Sequence, residues 1–263
     1  MARRSVARWL IVAVPLAAFA IAAGGAVLLA LRGSEGRVGV SRGPSDEGAE
    51  ARVGLARLLG ESRDPAARDT LASLLTDPSP EVRTEAAIAL AGWGDGRAIE
   101  PLCGLLADDD AKVRLRAAMA LGELGPTAVP PLTGALRGGR PDVQEAAAQA
   151  LGAIGDEAAV PSLRDVLRDS RYVSVRVQAA HALGEIGGRA AEEAAAGALR
   201  DEDVGVRLAA VSALGEMRTP RAARAVESAL HDPDEQVRSG AAAALGKMQT
   251  RGGDGDGAPE GAR

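Results

Sequence analysis

Aromatic side chains are nearly missing: the 263 residues include two Trp, one Tyr and one Phe. The core must therefore be built from Ala, Leu and Val, and there is no aromatic platform of the kind that holds a tetrapyrrole. A single cysteine excludes an intramolecular disulfide. Cys103 sits between Leu102 and Gly104 with no histidine nearby in sequence, which reads as a quiet thiol. Only two histidines are present, His181 within a helical pattern and His231 in a turn, so no set with metal-ligand spacing exists. There is no Ser/His/Asp set, and the Gly-rich tail lacks the strand and helix that a phosphate loop needs. An excess of basic charge is also missing. The net charge is −5, and the first 32 residues hold four arginines and no acid, leaving −9 for residues 33–263. That balance opposes a nucleic-acid partner, whose phosphates need Lys and Arg. No cofactor is expected.

What is present begins with a basic segment, residues 1–8, followed by 23 residues without a charge, Trp9 to Leu31. As a helix this run would be about 34 Å long, enough for the hydrocarbon layer of a bilayer. Trp9 is placed as an interfacial anchor, and Pro15, Gly24 and Gly25 are tolerated in such helices. Residues 9–31 are expected to form a transmembrane signal anchor. The alternative is a signal peptide cleaved near Ala20-Ile21-Ala22, which would release the rest as a secreted protein, but apolar residues continue well beyond that point. Arg3, Arg4 and Arg8 place the N-terminus in the cytoplasm and the remainder outside the inner membrane. Residues 32–48, rich in Gly, Ser and Arg, read as a flexible linker.

The rest of the chain is organised around a recurring stretch, seen at Val175–Gly187 as V-R-V-Q-A-A-H-A-L-G-E-I-G. Val82, Val113, Val143, Val175, Val206 and Val237 begin its copies, at a period of 30–32 residues. Ala follows each Val at the fourth and seventh positions and Leu at the eighth, the apolar stripe of an amphipathic helix. Between copies lies a shorter helix ending in Leu before an acidic turn, at Leu75, Leu106, Leu136, Leu167, Leu199 and Leu230. Several of these carry a proline in the first turn. Gly125, Gly155 and Gly187 close Val-Arg helices as C-caps. A fixed period of this length is the signature of a stacked solenoid. Six pairs are expected, near 64–92, 97–124, 127–154, 158–186, 189–217 and 220–249. A divergent helix over 49–60 caps them, and 250–263 form a disordered tail.

The copies resemble HEAT repeats of the phycobilisome-lyase type, with their D-x-x-x-x-V-R-x-x-A-A-x-A-L-G pattern, over residues 64–249. The resemblance implies an all-α, right-handed alpha-alpha superhelix of antiparallel pairs with the Val-Arg helices lining its concave side. Neither histidine belongs to a His-Glu pair of the kind by which iron-binding HEAT-repeat hydroxylases hold metal.

Two residue sets stand out. Asp and Arg recur six residues apart, as Asp77/Arg83, Asp108/Arg114, Asp201/Arg207 and Asp232/Arg238; Asp169/Arg176 has one residue more. In the remaining repeat both are replaced together, by Gly138 and Gln144. The expectation is a structural ladder in which each Asp caps the helix that follows and pairs with its Arg. The second set is the most variable face of the Val-Arg helices, three, six and ten residues after each Val. Arg116, Met119, Gln149, Gln178, His181 and Ser212 on this face are the candidate strip for a protein or peptide partner. Trp93 and Tyr172, both at turns, are further contact candidates.

These readings converge on a membrane-anchored, non-catalytic scaffold or adaptor that binds protein through its concave surface. The alternative is a lyase-like chaperone for a chromophore- or cofactor-bearing protein. An array like the repeat-type DNA glycosylases is opposed by the charge and the anchor.

Overall fold

The structure, a computed structural model, describes residues 48–250 except 63 and 139. Segments 1–8 and 9–31, nearly all of the 32–48 linker and the tail from 251 lie outside the described residues. Among the described residues no helix is long and apolar enough to cross a membrane.

Thirteen α-helices follow one another within this range, with no strand among the described residues: α1 (Ala49–Ser62), α2 (Pro65–Leu74), α3 (Pro80–Ala91), α4 (Ile99–Leu105), α5 (Ala111–Glu123), α6 (Val129–Leu136), α7 (Pro141–Ile154), α8 (Val160–Asp169), α9 (Val173–Ile186), α10 (Gly188–Ala198), α11 (Val204–Met217), α12 (Pro220–Ala229) and α13 (Glu235–Thr250). The odd helices from α3 onward are the six Val-Arg helices, the even ones their shorter partners, and α1 caps the stack as an unpaired odd helix.

Local chemistry sets the helix ends. Pro65, Pro80, Pro141 and Pro220 open α2, α3, α7 and α12 at a position where no N–H is needed. Asp64, Asp110 and Asp203 accept hydrogen bonds from the first-turn N–H groups of α2, α5 and α11. Gly155 and Gly187 end α7 and α9 at φ 70° and 67°, as their sequence positions predict. Arg218 holds the corresponding place after α11 at φ 54°, the one non-glycine residue with positive φ among those described.

The predicted stripe is the core. Ala117, Ala147, Ala179, Ala210 and Ala241 are buried, as are Leu90, Leu121, Leu151, Leu183 and Leu214. Each such leucine contributes about 2–3 kcal/mol of transfer free energy. A continuous apolar seam runs through the repeats because no helix pair can cover its own stripe.

Small residues let consecutive odd helices approach closely. A Cβ on Gly152 would lie 2.9 Å from Ala182 Cα of the next odd helix, and one on Gly184 would lie 2.9 Å from Ala213 Cα. Gly122 and Gly215 occupy the same slot in α5 and α11, facing Ala153 and Ala244. In α3 that slot is filled by buried Ala91, and the α3–α5 contact is the sparsest of the odd-helix junctions. Contacts between successive even helices are thinner throughout. The odd helices thus form the tight layer of a two-layer array.

Candidate functional site

The Asp–Arg ladder exists, with a different pairing from the one its spacing suggests. Within a repeat, Arg Nη1 donates to the backbone carbonyl six residues back: Arg83 to Asp77 (2.6 Å), Arg114 to Asp108 (2.7 Å), Arg207 to Asp201 (2.9 Å) and Arg238 to Asp232 (2.8 Å). The carboxylates turn the other way, toward the previous repeat. Arg52 of α1 holds Asp77 through Nε and Nη2 (2.8 and 3.1 Å), Arg176 holds Asp201 (2.9 and 2.9 Å), and Arg207 holds Asp232 (2.8 and 3.0 Å). Each rung spans 25 residues and ties one odd helix to the turn preceding the next. The guanidinium hydrogen bonds pull Asp77 and Asp232 below the usual carboxylate range, outweighing the opposing effect of burial.

The caps are also shifted by two residues. Asp77, Asp108, Asp201 and Asp232 accept from the N–H two positions on, shaping the turn (2.8–2.9 Å). The helix cap falls on the acid two residues further on, at Asp110, Asp203 and Asp234.

Asp169 is not a ladder member. It pairs with neighbouring Arg168 at 2.7 Å and is exposed. The extra residue in this repeat moves Ser170 into the ladder position: its carbonyl accepts from Arg176 (2.9 Å) and its Oγ from the Tyr172 N–H (3.3 Å). Gly138 and Gln144 are therefore not one lost pair. They belong to two successive rungs, Arg114 with Gly138 and Gln144 with Ser170. Arg114 approaches Asp142 at 4.0 Å instead. Arg83 makes no ion pair with Asp108 among the described residues, so three rungs in succession, the second to the fourth of six, are open.

The six residues of the expected strip lie on α5, α7, α9 and α11. Met119, Gln149 and Ser212 are exposed there, Gln178 and His181 half-buried. Met119 is 59% exposed and Leu115, one turn earlier on α5, is 44% exposed. Arg116 differs from the others because its guanidinium is already committed. It donates to Glu85 of α3 at 2.9 Å, and Arg57 of α1 donates to the same oxygen at 2.8 Å. Burial would push the Glu85 carboxyl up, but the two arginines hold it below the usual range. This bridge links three odd helices across a cleft of about 780 Å³ between α1, α3 and α5. Sequence spacing could not show it, since the contacts lie 28 and 31 residues apart.

Further along the same face, Glu185 is pushed up by burial and by the Glu216 carboxylate, with His181 partly offsetting them. Cys103 is half-buried and pushed up to about 11, mainly by burial, so it is protonated at neutral pH as expected. Trp93 is structural: its Nε1 donates to the Gly60 carbonyl at 2.8 Å, fastening α1 to the stack. Tyr172 is half-buried, with the Arg171 guanidinium 4.6 Å from its ring centre. No group of three or more potential metal ligands occurs among the described residues.

Fold and ladder together define a helical-repeat solenoid, a class in which each unit is closed by its neighbours. The family model for HEAT repeats matches residues 44–114, 99–174 and 167–246. The chain belongs to the HEAT-repeat family. No curated protein matches it by sequence. Among solved structures it is similar to the CpcE–CpcF complex of phycocyanin lyase from a Nostoc species, at 23% identity over 56% of this chain and 97% of that one, with a TM-score of 0.51. Human deoxyhypusine hydroxylase in complex with glycerol is 25% identical over 86% of this chain and 85% of that one, with a TM-score of 0.43. A designed armadillo repeat protein in complex with the peptide (KR)4 is 20% identical over 74% and 99%, with a TM-score of 0.44.

Proposed function

We propose that this protein is a non-catalytic scaffold whose odd-helix face binds a protein or peptide partner. The observation that carries this reading is the exposed apolar pair Leu115 and Met119, one turn apart on α5 in the more closely packed layer of the array. Apolar side chains exposed on a preorganised helix face favour association, because little conformational entropy remains to be lost there. In the right-handed superhelix that the repeat resemblance implies, this layer is the concave one. Arg116 serves the surface from within, by its bridge to Glu85.

The same reading holds the array at the cell membrane through residues 9–31, with the N-terminus in the cytoplasm and the repeats outside. Tethering raises the effective concentration of the array for partners at that surface.

A photo-crosslinking residue at Met119, compared with one at exposed Ser228 of α12, tests the face in intact cells. Adducts at position 119 and not at 228 are expected. Adducts at 228 alone would place the partner on the other layer. A C-terminal tag open to protease in spheroplasts, on a full-length membrane-bound product, is expected from the anchor. A protected tag would put the repeats in the cytoplasm, and a shortened soluble product would mean cleavage.

A further inference from the structure

The ladder position between α7 and the α8–α9 turn lacks both partners. Gln144 stands where α3, α5, α9, α11 and α13 carry Arg, and Ser170 stands where the turn before α11 carries Asp201. Gln144 is the shorter side chain, and its Nε2 reaches back to the Leu136 carbonyl at 2.7 Å. A cavity of about 370 Å³ remains, walled by Leu136, Gly138, Gln144, Asp169, Ser170 and Tyr172.

Arg137 and Arg171 also line this cavity, the second lying over the Tyr172 ring, and Asp165 and Asp169 balance their charge. Two acceptors deeper in the ladder position remain without a side-chain donor among the described residues. Gln144 Oε1 is buried with no hydrogen-bond partner, the one such side-chain atom among the described residues. An unmet buried acceptor of this kind is costly, and a donor that reaches it is favoured accordingly. The Gly138 carbonyl takes no side-chain donor among the described residues, whereas the matching carbonyls of Asp77, Asp108, Ser170, Asp201 and Asp232 each accept from Arg. The Asp169 carboxylate stands at the lip, with Arg168 on its exposed side.

We propose that this notch binds the guanidinium of an arginine side chain carried by a partner polypeptide. The intact rungs show that the fold accepts a buried guanidinium at this register, since Arg176 is only 5% exposed. A planar five-donor fork matches acceptors spread along one wall better than a compact three-donor ammonium does. Gln144 Oε1 offers one acceptor to the incoming group while Nε2 keeps its bond to the Leu136 carbonyl, and the Gly138 carbonyl offers a second. The notch lies at the turns before the odd helices, apart from the Met119 face, so the two readings fail separately.

The chain has one tyrosine, so 3-fluorotyrosine gives the full-length protein a single fluorine signal at the cavity wall. Titration with N-acetylarginine amide is expected to move that signal saturably. The neutral citrulline analogue should bind at least tenfold more weakly. Gln144→Arg, which fills the notch from within, should abolish the response while helicity is retained; if that variant does not fold, Gln144→Met should weaken binding at least tenfold. A non-saturating shift, or an equal one in the altered proteins, would overturn the proposal. Tighter binding of free arginine than of the capped form would assign the notch to the amino acid and overturn the polypeptide source.

Discussion

Arg176 closes on Asp201 through two parallel hydrogen bonds of 2.9 Å, across 25 residues of chain. The partner sits in the turn of the next repeat, so the bond measures the stacking of two repeats and not the fold of either one. Both side chains are largely withdrawn from solvent, 6% and 13% exposed. Such a pair costs more to break on one side than to remove as a unit.

The rung geometry changes which substitutions should couple. Gln144→Arg combined with Ser170→Asp is expected to rebuild a rung, with a coupling of about 1–3 kcal/mol in a double-mutant cycle read by thermal unfolding. Gln144→Arg combined with Gly138→Asp should be additive, because those positions serve different rungs. Coupling in the second cycle and none in the first would restore pairing within a repeat.

Gly184 tests the tight layer. Its substitution by Ala brings a methyl against Ala213 Cα, a backbone atom that cannot rotate aside. We expect a loss of ~1–3 kcal/mol. Gly197, on an even helix with no neighbour within reach of a Cβ, should gain from the same change. Equal effects at both sites, in denaturant unfolding, would show that the layers are packed alike.

Arg218 is strained where its counterparts Gly155 and Gly187 are not. Arg218→Gly is expected to stabilise the protein by ~1 kcal/mol, since a left-handed backbone carries little penalty for glycine. An unchanged or lower melting temperature would count against the strain.

Glu185 supplies a pH test. Its folded-state carboxyl is pushed up, so the folded protein holds the proton more tightly than the unfolded chain. The charged form therefore destabilises the fold, with the full effect above the raised value. Below the ordinary carboxylate range, about 4.3, both states are protonated and the effect vanishes. Glu185→Gln should raise the melting temperature at pH 7 and leave it unchanged near pH 3. A gain of equal size at both pH values would exclude a charge effect.

Much of the fold was legible because the apolar period repeats: the stripe Val, Ala, Ala, Leu identifies every odd helix from α3 onward, and Pro and Gly mark many ends. The ladder was legible as a set of residues but not as a set of bonds. A six-residue spacing draws the eye to one turn of helix, while the turn conformation sends the Asp side chain back to the preceding repeat. Asp169 was misplaced for a related reason: the inserted residue passes the ladder position to Ser170, and a serine carries no charge to announce it. Arg116 looked free because its partner Glu85 becomes a neighbour only when α3 and α5 stack. The notch was likewise visible only as two substitutions, Gly138 and Gln144, whose shared cavity depends on Ser170 and Tyr172.

Ala91 gives the array a mechanical address. It fills the slot that glycine holds in α5, α7, α9 and α11, at the sparsest junction of the odd layer. The neighbouring rung, Arg83 toward Asp108, is open, and α2 and α4 add little contact on the other side. In a stack where each unit touches only its neighbours, a load across the ends is shared in series, and rotation collects at the most compliant joint. The first three helices then act as a short arm that swings against a longer one, with the Glu85–Arg116 bond as its latch.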